Sequence, residues 1–445
     1  VTMGRLFGTD GIRGVANVDL RPTTAYALGR ATAHELVGAG GSLVVGRDTR
    51  RSGQMFVAAI AAGAASLGAD VHDAGILPTP ALAYLAGTGS FSAGIMVSAS
   101  HNPADDNGLK VLDGRGLKLD DAEEDCLEQL IWRTEELGGP RNGGIGRMVA
   151  ATALVDRYRA DRLRLAQATP CHLHLVLDCA NGSGGVTAPE LLAATGARVD
   201  VLHNDPDGEN INVRCGATAP ADLAEQVVAL GADLGFALDG DADRLVVVDR
   251  HGRVVDGDQL LGLCALDRLA RGALAGGILV VTVLSNGGLE TAVGAAGGQI
   301  VRTPVGDKYI LDGMQVTGAN LGGEKSGHVI VLDHATSGDG LVTALEVLGI
   351  VGRTGRPIDE LAAEVPLFPQ EQRAIHVRHK EQWEADPELR RAIAAAEARL
   401  SIGGRILVRP SGTEPALRVM VEGHDAELVG ALADELAALA GNRLN

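Results

Sequence analysis

The stretch Leu234-Gly235-Phe236-Ala237-Leu238-Asp239-Gly240-Asp241-Ala242-Asp243-Arg244 sets an apolar run directly against three aspartates at alternate positions. A short apolar run stopped by Asp-Gly predicts a buried strand that opens into a polar loop. The punctuation recurs: Leu173 to Leu177 runs into Asp178-Cys179-Ala180-Asn181-Gly182-Ser183-Gly184, and Ile278 to Leu284 runs into Ser285-Asn286-Gly287-Gly288. Upstream, Thr23 to Val37 has helical apolar spacing, and Ser42 to Val45 reads as a strand ending at Gly46-Arg47-Asp48. A helix is predicted through Met55 to Leu67, with further strands at Ala69 to Asp73 and Ile95 to Val97. Strands alternating with helices predict α/β units, whose ligands gather beyond the carboxyl ends of the strands.

At 445 residues the chain exceeds one core, and α/β units of ~100 residues fit that length. Its end differs: an alternating stretch from Ala374 to Val377, strands at Arg405 to Val408 and Leu417 to Val421, then an Ala/Leu-rich helix from Asp425 to Ala440. The expected class is α/β, with three similar α/β domains built on mixed sheets and a smaller C-terminal α+β domain. Expected boundaries give domains at 1–145, 146–252, 253–366 and 367–445. Aromatic residues make up only 2% of the chain, so its cores must be aliphatic. A formal charge of −18 repels a phosphate polyanion and argues against a nucleic-acid partner. Five scattered cysteines without a C-x-x-C pair read as reduced thiols. Val1-Thr2-Met3-Gly4-Arg5 carries no signal-peptide stretch, and Ile278 to Leu284 is far too short to span a membrane. The expectation is a soluble cytoplasmic protein with no membrane partner.

Three aspartates at alternate positions past a strand should project to one side. Three anions about 4 Å apart repel by roughly 4 kcal/mol per pair at intermediate dielectric. A hard dication relieves this, and an all-oxygen set favours Mg²⁺, Mn²⁺ or Ca²⁺ over zinc. An EF-hand is excluded, because its glycine and glutamate positions hold Arg244 and Arg250. Alone, the string also fits a solvated acidic turn. Ser98-Ala99-Ser100-His101-Asn102-Pro103 follows the strand Ile95 to Val97, and Pro103 stiffens the turn that offers Ser100 as a nucleophile. G-x-S-x-G is absent there, so activation must be supplied by a metal or by phosphorylation of the serine in advance. Lys110 is a proton-transfer candidate, or simply a solvated lysine. Arg409-Pro410-Ser411-Gly412-Thr413-Glu414-Pro415, with Arg418 beyond, offers hydroxyls, backbone amides and forked guanidinium donors to a phosphate. Gly322-Gly323-Glu324-Lys325-Ser326-Gly327-His328 offers Glu324 and Ser326 to adjacent sugar hydroxyls. On the loop Gly8-Thr9-Asp10-Gly11-Ile12-Arg13-Gly14, Arg13 suits a phosphoserine.

Together T-D-G-I-R-G at 9–14, S-A-S-H-N-P at 98–103, D-G-D-A-D-R at 239–244, G-E-K-S-G-H at 323–328 and R-P-S-G-T-E-P at 409–415 resemble the α-D-phosphohexomutase family, and closely its amino-sugar branch. The five occur in family order across essentially the whole chain. The resemblance implies four domains around a central cleft and a phosphorylated Ser100. It implies one Mg²⁺ per chain, held by the phosphoserine with Asp239, Asp241 and Asp243. It implies Glu324 and Ser326 on the sugar ring with His328 nearby, and Arg409, Ser411, Gly412, Thr413 and Arg418 on the non-reacting phosphate. Thr9, Arg13 and Arg244 would border the phosphoserine, His101 and Lys110 would be acid/base candidates, and Thr303 to Asp307 would line the sugar site. The implied reaction interconverts glucosamine 6-phosphate and glucosamine 1-phosphate through a sugar 1,6-bisphosphate, towards UDP-N-acetylglucosamine and cell-wall synthesis. The partner is then a small sugar phosphate; a homodimer and the phosphate donor to Ser100 stay open.

Rival readings are a mutase of the same fold acting on mannose or glucose phosphates, an Mg²⁺ phosphatase with an aspartate nucleophile in D-G-D, and a catalytically inert binding protein.

Overall fold

The structure, a computed structural model, describes residues 5–8, 10–400, 403–411 and 415–445. The chain forms two compact units, one of residues 1–284 with 297–363, the other of 285–296 with 364–445.

The first unit contains three sheets. The first sheet holds β1 (Ile12–Val15), β2 (Ser42–Arg47), β3 (Asp70–Ile76), β4 (Ala93–Val97), β5 (Asp106–Asp113) and β6 (Met148–Ala150), in the order β1-β5-β4-β2-β3-β6. The second holds β7 (His174–Asp178), β8 (Arg198–Leu202), β9 (Leu234–Leu238), β10 (Leu245–Asp249) and β11 (Val254–Val255), in the order β11-β10-β9-β7-β8. The third holds β12 (Ile278–Thr282), β13 (Gln299–Thr303), β14 (Leu321–Gly323) and β15 (Val329–Val331), in the order β13-β12-β14-β15. Each sheet mixes parallel and antiparallel pairs. The first sheet runs on to Ala150, past residue 145, and the second to Val255, past residue 252.

Central strands β4 and β9 are buried at every residue. This follows from helices covering both faces, which turns strands into continuous aliphatic runs. Packed around the first sheet are Leu28, Phe56, Ile60, Ile95 and Val97, an almost wholly aliphatic cluster. The helix read from Thr23 to Val37 is α-helical at Pro22–Thr32, then widens into a single π-turn at Ala33–Val37 before Gly38. Among the described residues, no helix is long and apolar enough to cross a membrane, and all five cysteines are free thiols.

The second unit carries β16 (Gln370–His376), β17 (Arg405–Pro410) and β18 (Ala416–Glu422), an antiparallel sheet in the order β16-β18-β17. Its closing helix, Ala426–Arg443, starts where the Asp425 side chain accepts from the Glu427 and Leu428 amides, satisfying donors the helix itself leaves free. Leu432, Leu436 and Ala440 on that helix pack against Leu417, Val419 and Val421. The fold class is α/β with a smaller C-terminal three-stranded piece, as the sequence predicts.

Candidate active site

Ser100, Asp239, Asp241 and Asp243 meet in the interior of the first unit, each no more than 3% exposed. Ser100 lies just past β4 in the left-handed region, at φ 52°. Its Oγ donates to Asp239 Oδ2 and lies 3.3 Å from His101 Nδ1. The approach is tight enough to demand glycine at 240, where a Cβ would sit 2.6 Å from the Ser100 carbonyl oxygen. The aspartates do converge, with one oxygen of each within 4.8 Å of the others. Strand alternation is not the cause, however. β9 stops at Leu238, and the aspartates occupy a turn in which the Ala242 amide donates 3.0 Å to the Asp239 carbonyl, with Ala242 at φ 57°.

The turn's electrostatics are strained. Burial, reinforced by Asp243 and Asp241, pushes the Asp239 carboxyl well above the usual carboxylate range. Burial also acts upward on Asp243, but Lys110, His328 and Arg244 together hold it below that range. Lys110 projects from β5, 2.8 Å from Asp241 Oδ2, 3.1 Å from Asp10 Oδ2 and 3.5 Å from Asp243 Oδ2. Burial opposes its charge, but these carboxylates outweigh it and raise the ammonium's pKa. Thr79 Oγ1 donates 2.6 Å to the same Asp241 Oδ2. Asp241 Oδ1 is buried without a hydrogen-bond partner, and Asp243 Oδ1 is buried with only long contacts, 3.7 Å to His328 Nδ1 and 3.8 Å to Arg244 Nε. Buried carboxylate oxygens left bare cost free energy, and a dication among them removes that cost. The all-oxygen donor set fits Mg²⁺.

The turn carrying Ser100 is held from below by a residue that sequence reasoning missed. Arg50 is 1% exposed. It donates 2.9 Å to the Ser100 carbonyl, 2.8 Å to that of Asn102 and 2.9 Å to that of Asp106, and also reaches the Pro103 carbonyl. Asp48 orients it, accepting from Arg50 Nε at 2.9 Å and from Ser98 Oγ at 2.6 Å, while Ser98 Oγ accepts the Ser100 amide at 2.9 Å. The visible signal was an Asp-x-Arg directly beyond β2. From the loop after β8, Asn212 Nδ2 donates 2.9 Å to the same Ser100 carbonyl.

Arg13 borders this turn, 3.3 Å from the Ala99 carbonyl and paired with Asp10. Arg244 donates its amide 3.2 Å to Asp239 Oδ1. Burial, with Arg244 and Arg13 close by, pushes the His101 imidazole down to about 4, so it is neutral at physiological pH. Beside Asp243 lies a cavity of about 170 Å³ lined by Asp10, Arg244, Asp307, Glu324 and His328. Glu324 and Ser326 sit on the turn between β14 and β15, where Glu324 Oε1 accepts the Gly306 amide at 3.1 Å. Lys118, unforeseen from sequence, pairs with both Asp10 and Asp307.

In the second unit, Arg409 on β17 stands directly opposite Arg418 on β18. Burial and the neighbouring Arg418 both lower the Arg409 pKa. Two cations opposed across an antiparallel pair repel, and an anion between them would relieve this. Ser411 follows, its amide donating 2.8 Å to the Ala416 carbonyl. Thr9, Gly412 and Thr413 lie outside the described residues.

Four domain descriptions of the phosphoglucomutase/phosphomannomutase family match the chain in order: α/β/α domain I at residues 4–138, domain II at 154–252, domain III at 256–368 and the C-terminal domain at 374–439. Phosphoglucosamine mutase of Moorella thermoacetica is 49% identical over 428 residues, covering 96% of each chain. That of Frankia alni is 48% identical over 452 residues, covering 98% of each. Among solved structures, a phosphoglucomutase/phosphomannomutase family protein from Burkholderia thailandensis superposes with a TM-score of 0.84 at 27% identity, covering 99% of this chain and 98% of that one.

Proposed function

The chain belongs to the phosphoglucomutase/phosphomannomutase family, and on that footing we propose that it interconverts glucosamine 6-phosphate and glucosamine 1-phosphate in the bacterial cytoplasm. Relatives named phosphoglucosamine mutase at 49% and 48% identity support the substrate. The observation that carries the mechanism is Ser100 Oγ hydrogen-bonded to Asp239 inside a buried cluster of three carboxylates, where Asp241 Oδ1 has no hydrogen-bond partner.

Ser100 carries the phosphoryl group between turnovers. Attack by the sugar's O1 on that phosphorus forms the new P–O bond, breaks the bond to Ser100 Oγ and yields the 1,6-bisphosphate. After the intermediate reorients, Ser100 Oγ attacks the 6-phosphoryl group and releases glucosamine 1-phosphate, regenerating the phosphoserine. Mg²⁺, held by Asp239, Asp241, Asp243 and the phosphoserine, would supply charge neutralisation for the transferring oxygens. Neutral His101 accepts the attacking hydroxyl's proton, and protonated Lys110 donates one to the departing serine oxygen. Arg13 and Arg244 offset phosphate charge. Glu324, Ser326 and His328 grip the ring, while Arg409, Ser411, Gly412, Thr413 and Arg418 hold the phosphate that is not reacting. The four sheets support division into phosphoserine, metal, sugar and phosphate domains.

The test compares kcat/KM for glucosamine, glucose and mannose phosphates. Preference for glucosamine phosphate is expected; faster turnover of a neutral hexose phosphate transfers the assignment to the hexose branch. Retained activity in Ser100→Ala would instead favour an aspartate-nucleophile phosphatase.

A further inference from the structure

A second cluster with metal-ligating chemistry lies in the second sheet, apart from the three aspartates. Asp178 at the end of β7, His203 just past β8 and Cys215 on the following loop each bring one ligand atom within 4.8 Å of the others. Asp178 and Cys215 are fully buried, and His203, 27% exposed, opens the cluster to solvent. Asp178 is fixed by two backbone donors, the Ala180 amide at 2.8 Å on Oδ1 and the Gly216 amide at 2.7 Å on Oδ2. His203 is held in the left-handed region at φ 48°, which a β-substituted residue adopts only at a cost. That backbone sets Nδ1 3.2 Å from Asp178 Oδ1 and Nε2 3.1 Å from Asp222 Oδ2. Nδ1 is buried against the Asp178 carboxylate at this distance. With its proton removed, the same nitrogen would offer a lone pair beside the Asp178 oxygen and the Cys215 sulfur, all within 4.8 Å of one another.

We propose that Asp178, His203 and Cys215 form a site for a borderline-soft dication of the Zn²⁺ class, distinct from the all-oxygen Mg²⁺ site. Thiolate, imidazole and carboxylate together select zinc over magnesium. Binding displaces the Cys215 proton to solvent. The same loop carries Asn212, whose side chain donates to the Ser100 and Asn102 carbonyls. Metal at Cys215 thus pins the segment that braces the serine turn. The competing arrangement is an imidazolium bridging Asp178 and Asp222 with no metal.

Co²⁺ titration of the full chain, with excess Mg²⁺ keeping the aspartate site loaded, separates the two. The expected result is one equivalent of Co²⁺ giving a near-ultraviolet thiolate charge-transfer band, displaced by Zn²⁺. The band should vanish in Cys215→Ser, weaken in His203→Gln and persist in Cys179→Ser, and Zn²⁺ should raise the melting temperature of the wild type and of Cys179→Ser but not of Cys215→Ser. Absence of the band, or its survival in Cys215→Ser, overturns the proposal. Should Cys215→Ser fail to fold, full band intensity in His203→Gln overturns it equally.

Discussion

Lys110 Nζ lies 2.8 Å from one oxygen of Asp241, while the other oxygen of the same carboxylate is buried without a hydrogen-bond partner. One side of the group is thus committed to a fixed cation and the other is left for a mobile one. Lys110→Met should lower kcat by roughly 100- to 10,000-fold, the usual range for a lost proton-transfer group. Because a competing positive charge is removed, the apparent Mg²⁺ affinity should rise. Mg²⁺ titration of turnover checks both, and weaker Mg²⁺ binding would reject the counterion role.

Asp239 carries the clearest cost of metal-free folding. Its folded pKa is raised by burial and by Asp243 and Asp241, so the folded state favours the protonated acid. That contribution is fully present at pH below the unfolded value and is lost as pH rises through the folded one. Metal-free protein should therefore lose stability as pH climbs from the acid range towards neutral, and Mg²⁺ should restore it. Asp239→Asn should raise the metal-free melting temperature at pH 7, shrink the Mg²⁺-induced shift and abolish turnover. Thermal melts with and without Mg²⁺ provide the readout.

Arg50 is expected to act on both stability and rate. Arg50→Met leaves Asp48 buried without its partner, which typically costs about 3–5 kcal/mol. Arg50→Lys keeps the charge but not the fork that spans several carbonyls. It should retain the fold, lose at least about tenfold in kcat through misplacement of Ser100, and leave KM nearly unchanged. A fall confined to KM would contradict the clamp.

The opposed arginines Arg409 and Arg418 should behave as an anion site. Arg418→Gln should raise KM for the sugar phosphate by roughly 10- to 100-fold, equivalent to one charge-assisted hydrogen bond of about 1.5–3 kcal/mol. Isolated binding of inorganic phosphate should weaken in parallel and fall with added salt. An unchanged KM would remove this pair from substrate binding.

Much of this was legible in the sequence because it is written locally. Aliphatic runs stopped by Gly, Asp or Ser marked β4, β7 and β9, and the loops beyond them held Ser100 and the aspartates. What escaped depends on distant partners. β5 opens with Asp106-Asn107-Gly108, residue types common in turns, yet it pairs with β1 and β4 on either side; that pairing buries Lys110. Arg50, Asn212 and Thr79 acquire meaning only through residues 50 to 162 positions away. The aspartates' convergence was foreseen, but its cause was not, since a left-handed turn at Ala242 replaces the expected strand alternation.

The central claim is that Ser100 carries the phosphoryl group. Intact-mass measurement of the chain after incubation with glucosamine 1,6-bisphosphate and Mg²⁺, followed by peptide mapping, tests it directly. One added phosphate on Ser100, discharged by glucosamine 6-phosphate and absent in Ser100→Ala, is the expected result. An active chain with Ser100 unmodified throughout turnover, or with the phosphate on an aspartate, would contradict it.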